Sequence, residues 1–230
     1  SDFRRMIEGP YGLRVAKLLD SQYRMCDAIG KMVSDIFYDG KLKTGRTDNF
    51  LDVQVPKSVM EHEVVWFDTS SLGSEALEQR ELNARGAETT SFINRAEVRG
   101  ILSLLEEISE TPGILDRLVD FKKQHGALPV GIICAYRGQK RELLKMFAQK
   151  PFPDKFRSLV KIDTVDSYQG KENLIIIQSL VRNNSKLTQG FLADAERVNV
   201  GVSRAMERLF IFGAASMWRG SEAPLGRRSE

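Results

Sequence analysis

The chain has 230 residues, 42% hydrophobic and 28% charged, the balance of a soluble domain with one sizeable core, which excludes a collagen, a disordered tail and a disulfide knot. Its 34 Lys and Arg against 31 Asp and Glu leave +3, too little for bulk attraction to a polyanion, so any such site must be local. Cys26 and Cys134 lie far apart and His62 and His125 have no ligand-like spacing, so neither a disulfide framework nor a metal site is expected.

No apolar run reaches the ~20 residues a membrane span needs, and the opening SDFRRMIEGP lacks the apolar segment of a signal peptide. An intracellular protein, cytoplasmic or nuclear, with no membrane partner is expected. Along the chain, Ile29, Met32, Val33, Ile36 and Phe37 recur at helical spacing after Asp27, which reads as an N-cap, and Asp39-Gly40 stops the pattern. Residues 41–60 are polar without a sustained period. EVVWFDT at 63–69 reads as a buried strand, and 70–90 as a second irregular insertion. Asn94 with Glu97 three residues on has the form of a capping box opening a helix whose apolar face is Val98, Ile101, Leu102, Leu105 and Ile108.

The second half predicts strand 130–136, helix 139–148, strands 158–165 and 174–181, a helix over 194–206 and strand 208–213. Apolar strands without alternation, separated by amphipathic helices, imply an α/β fold in three layers around a mostly parallel sheet. Residues 1–213 then form one domain and 214–230 a frayed tail.

Such a sheet binds ligands at the carboxyl ends of its strands, which directs attention to the loops after Tyr136, Thr164 and Val181. The stretch DTVDSYQGKEN at 163–173 places Thr164, Ser167 and Gly170 there, and is too polar for a minimal connection. Arg197 and Arg204 stand seven apart, two helical turns, and so emerge on one side of a helix where a guanidinium fork can reach a phosphate. On residue chemistry alone a solvated turn is an equally ordinary reading of that stretch, and two surface arginines on a helix the more ordinary reading of the pair. No G-x-x-x-x-G-K-[ST] occurs in the chain, so it builds no phosphate-cradling loop of its own.

Taken in order, QYRM at 22–25, FYDGKL at 37–42, the Asn94/Glu97 helix, CAYRGQ at 134–139, TVDSYQGKE at 164–172 and ERVNVGVSRA at 196–205 resemble one family. It is the C-terminal motor half of superfamily 1B helicases of the nonsense-mediated-decay, senataxin and immunoglobulin-mu-binding type. The resemblance implies a RecA-like domain of the P-loop-NTPase class that lacks its own P-loop. It further implies the second motor domain of an ATP-dependent helicase whose N-terminal RecA-like domain, in the same parent chain, would carry the P-loop and hold most of the Mg²⁺. The isolated chain is then inactive.

The same resemblance assigns roles. Arg24 and Arg204 are the fingers on the γ-phosphate, Tyr23 stacks on adenine, and Gly170 and Glu172 line the sugar and phosphate side. Tyr136, Gln139, Thr164 and Ser167 face single-stranded DNA or RNA. The chain departs from the family at Cys26-Asp27, Ala135, Glu196, Gly201 and Met206. Two alternatives stay open on the sequence: a binding module that keeps the fold without the motor, and a motor half fused to a nuclease in a defence assembly.

Overall fold

The apolar runs of the second half become adjacent strands of one sheet. The chain is described from a computed structural model covering residues 9–10, 12–15, 19–51, 58–168 and 172–218. Strands β1 (Ser21–Gln22) and β2 (Lys43–Thr44) form a small parallel pair, and β4 (Gln79–Leu82) and β5 (Glu88–Ile93) an antiparallel one. The main sheet contains β3 (Val64–Asp68), β6 (Val130–Cys134), β7 (Val160–Thr164), β8 (Asn173–Ser179) and β9 (Ala205–Gly213) in the order β3-β9-β8-β6-β7, every pairing parallel. The three-layer α/β expectation holds.

The helices are α1 (Gly12–Val15), α2 (Asp27–Phe37), α3 (Arg95–Glu110), α4 (Ile114–His125), α5 (Arg137–Gln149), α6 (Asp154–Arg157), α7 (Ala195–Val202) and α8 (Ala215–Trp218). Alternate strand residues serve two cores. Ile132, Ile177 and Phe212 join Ile101, Leu105, Leu118, Phe121 and Leu143 from α3, α4 and α5. Ile133, Ile176 and Ile211 join Ile29 and Val33 from α2 and Val202 from α7. With both faces covered, β6 and β8 are buried at every position, which is why neither shows a polar alternation in sequence.

Four local expectations change. Asp27 is the first helical residue rather than the cap. Cys26, in extended conformation and donating its N–H to Met206 O at 2.7 Å, turns the chain into α2. The stretch 70–90 holds β4 and the start of β5, a hairpin whose half-exposed, largely polar strands carry no apolar period to read. Helix α4 adds to the expected elements, its buried face of Ile114, Leu118 and Phe121 set between left-handed Gly113 and Gly126. Finally, the tail begins later than 214: Ala214 is buried, as are Ala215 and Met217 of α8, and Ala215 N ties this short helix to Asp68 Oδ1 at the end of β3 at 2.8 Å. Residues 219–230 of that expected tail lie outside the described residues.

Candidate nucleotide and strand sites

Gln22 builds the loop that presents Tyr23 and Arg24. Its Oε1 accepts from Arg24 N at 2.9 Å and Met25 N at 2.7 Å, while its Nε2 donates to Met25 O and to Thr44 Oγ1. This single side chain caps a turn too tight for ladder bonding. Arg46 braces the loop from behind, donating Nη1 to Arg24 O at 2.9 Å and to Met206 O at 3.1 Å, and pairing through Nη2 with the Glu207 carboxylate. Glu207 is fully buried and also takes the N–H groups of Phe50 and Leu51. Removing one partner of such a buried pair costs about 3–5 kcal/mol, so the loop is held to the start of β9 by more than surface charge.

On that platform Tyr23 is 73% exposed. One edge of its ring leans on Gly45, where a Cβ would meet Tyr23 Cε1 and make the ring shift. Much of the ring is left open to solvent.

Arg24 turns the other way. Its Nε donates to Glu172 Oε2 at 2.5 Å and its Nη1 to Ser203 O at 3.1 Å. Arg204 follows immediately after Ser203, and its Nε is buried with no acceptor among the described residues. Burial, and then the charge of Arg24, hold the Arg204 guanidinium below its ordinary pKa, with Glu172 partly offsetting. Two cations and one carboxylate therefore share a spot with a net positive field and an unmet donor, the chemistry an anionic oxygen satisfies. Arg24, Glu172 and Arg204 come together, and Gly170 lies outside the described residues. Arg197 does not join them. Helix α7 ends at Val202, so Arg204 sits in the turn beyond it, while Arg197 stacks over Phe191 with Cζ 3.9 Å from the ring centroid.

A separate cleft of about 450 Å³ opens at the carboxyl ends of β6 and β7, lined by Tyr136, Arg137, Thr164, Ser167, Phe191 and Thr89 among others. Thr164 Oγ1 donates to Ser167 Oγ at 3.1 Å. Tyr136 packs edge-on to Phe92 and tilts toward Phe191, and its hydroxyl accepts from Arg182 Nη1 and Phe191 N, both at 3.1 Å. Three of the four residues expected to face a strand thus line one cleft.

Gln139 does not. It is fully buried beneath the cleft, its Oε1 accepting from Asn94 N at 2.8 Å and its Nε2 donating to Asn94 O and Ser179 Oγ. With both amide ends bonded to protein, no face of Gln139 is available to a ligand. The capping box is likewise half formed. Asn94 Oδ1 accepts from Glu97 N, but the Glu97 side chain turns inward to Ser179 and Val181 instead of back to Asn94 N.

Sequence reasoning does not single out Arg182 or Phe191. Both lie in the loop after β8, which the carboxyl-edge rule marks, but nothing in LVRNNSKLTQGFL distinguishes a functional arginine from a surface one. Among the described residues no group of three or more His, Cys, Asp or Glu is arranged to hold a metal ion, and no helix is long and apolar enough to cross a membrane.

A parallel sheet covered on both faces, with clustered arginines at one side and an aromatic-walled cleft at its carboxyl edge, fits a RecA-like α/β unit of the helicase kind. Comparison with known proteins gives the family: the chain belongs to the AAA domain family, whose match runs over residues 1–216. It is 33% identical over 207 residues to regulator of nonsense transcripts 1 of Caenorhabditis elegans, covering 86% of this chain and 17% of that protein. It is 31% identical over 211 residues to helicase SEN1 of Saccharomyces cerevisiae (88% and 9%), and 34% identical over 196 residues to helicase sen1 of Schizosaccharomyces pombe (85% and 10%). The resemblance to the C-terminal RecA-like domain of superfamily 1B helicases holds over most of the chain, and the chain spans less than a fifth of the length of each of these relatives.

Proposed function

We propose that this chain is the C-terminal motor unit of an ATP-dependent nucleic-acid helicase or translocase, completing a nucleotide site whose P-loop belongs to an N-terminal RecA-like domain. The observation that carries the reading is the convergence of Arg24 and Arg204 on one spot, with the buried Arg204 Nε lacking an acceptor among the described residues. Placed against a γ-phosphate across a closing cleft, two guanidinium groups stabilise the charge that develops as the phosphoryl group transfers. Glu172 holds Arg24 in reach before that and is displaced or re-paired when an anion arrives. Tyr23 offers its exposed ring to the adenine. Mg²⁺ bound with ATP would be held by the domain with the P-loop and would supply neutralisation of phosphate charge, this unit's share being the two arginines.

Tyr136, Thr164 and Ser167 form the floor of the single-strand path, DNA or RNA. Because Ser167 of one site and Glu172 of the other are near neighbours in the chain, opening and closing the nucleotide cleft moves the strand contacts with it. The test is ATP hydrolysis by the purified chain with Mg²⁺ and single strands. No turnover alone, and turnover on adding the domain with the P-loop, is expected. Robust turnover by this chain alone that survives Arg204→Ala would refute the reading.

A further inference from the structure

Glu97 is a carboxyl with no exposure and, among the described residues, no cationic partner, lodged under the strand cleft. Its helix does not need it, since Asn94 Oδ1 caps the first turn and Gln139 takes Asn94 N. Its oxygens go elsewhere: one accepts from Ser179 Oγ at 2.6 Å, and both receive Val181 N, at 2.9 and 3.0 Å. Val181 has φ +69°, a left-handed backbone that a β-branched residue enters only at a cost. Its carbonyl is held too, by Asn94 Nδ2 at 3.1 Å. Both polar groups of this strained residue are thus fixed by side chains at the start of α3.

The reversal at Val181 sets where Arg182 goes. From there the guanidinium lies over Phe92, 4.3 Å from the ring centroid, donates Nε to Glu78 at 2.9 Å and Nη1 to the Tyr136 hydroxyl at 3.1 Å. That hydroxyl also takes Phe191 N, so Arg182 ties together two walls of the cleft. Were Val181 to relax to an extended conformation, Arg182 would swing away and Tyr136 would lose its anchor.

We infer that Glu97 is a positioning residue for the strand cleft, acting through the left-handed turn at Val181 and through Arg182 on Tyr136. The inference rests on the cleft being the strand site, but the path from Glu97 to Tyr136 is testable without any strand. Glu97→Gln keeps an acceptor for Val181 N and replaces the bond from Ser179 Oγ with one that its amide nitrogen donates to that hydroxyl; Glu97→Ala keeps neither, and Glu97→Asp, which preserves the carboxyl but shortens the reach, serves if the alanine variant does not fold. Amide hydrogen exchange at Val181 and the Tyr136 ring signals in NMR spectra should match wild type in Glu97→Gln, and change in Glu97→Ala and Glu97→Asp. Binding to fluorescent oligodeoxythymidylate should fall on the order of tenfold in Glu97→Ala, the loss of one well-made polar contact. In a Tyr136→Phe background, which lacks the hydroxyl, the same substitution should cost little more. Unchanged Val181 exchange and Tyr136 signals in both disruptive variants, or fully additive binding losses, would overturn the inference. If wild type binds no strand while those signals shift as expected, the positioning path stands and the strand-site reading is what fails.

Discussion

Arg24 and Glu172, 148 residues apart in the chain, meet Nε to Oε2 at 2.5 Å, and the Arg24 Nη1 on the same guanidinium reaches Ser203 O beside Arg204. The Arg24 guanidinium thus joins three separated sequence strings through one ion pair and one hydrogen bond. Both partners are at least a third exposed, so the pair contributes little to stability and exchanges readily for a stronger anion.

Arg24→Ala and Arg204→Ala in the full-length protein should each depress ATP hydrolysis by about 10³ to 10⁵ while changing ATP affinity far less, because the contact strengthens in the transition state. Steady-state hydrolysis and equilibrium nucleotide binding, measured on the same preparations, check this. A loss below about tenfold in a folded variant would make that arginine an ordinary surface charge.

Tyr23→Ala in the full-length protein should raise the KM for ATP by about five- to 150-fold, matching ~1–3 kcal/mol for stacking on a base, whereas Tyr23→Phe keeps the π face and should be near wild type. Equal damage from both would assign the work to the hydroxyl.

Gln139 and Ser167 should separate cleanly. Gln139→Ala strands Asn94 N and O and should destabilise the domain by about 1–3 kcal/mol, read by urea denaturation, with strand affinity unchanged where it is folded. Ser167→Ala should leave stability unchanged and weaken strand binding. For wild type, log K against log salt should fall with a slope of about 0.7 per phosphate, roughly 1.5 to 2 for two or three contacts. A salt-independent affinity would move the nucleic acid away from this cleft.

Burial pushes the Glu97 carboxyl up from its ordinary 4.5 to about 8, against the hydrogen bonds from Ser179 and the backbone of Val181 and Leu180 that favour the ionised form. The folded state therefore keeps a proton that the unfolded chain releases. This group's contribution to stability is fully present below pH 4.5, declines as pH rises toward 8 and is lost above it. Glu97→Gln removes the decline, so the variant's advantage over wild type should grow by at most about 1.4 kcal/mol per pH unit across that window. Urea denaturation at about pH 5 and about pH 8, near the two ends of the window, reads the difference. Parallel profiles for the two proteins would show that Glu97 does not titrate there.

Much of this protein is legible in one dimension. Strands β6 and β8 are apolar runs because each is covered on both faces, Thr164 closes β7 at its carboxyl end, and Glu172 and Arg204 stand immediately before β8 and β9. Tertiary structure decided the rest. Gln139 sits in a loop-and-helix string that reads as ligand-facing, yet the first turn of α5 points it into the layer below, where Asn94 and Ser179 claim both ends of its amide. Arg197 and Arg204 share a spacing that implies one helical face, and the end of α7 at Val202 divides them. The inward turn of Glu97, the left-handed Val181 and the reach of Arg182 to Tyr136 depend on side chains brought together from separate segments of the chain. Periodicity and local motif report the field a residue makes with its near neighbours in sequence, whereas burial and hydrogen-bond partners are set by whatever the fold places opposite it.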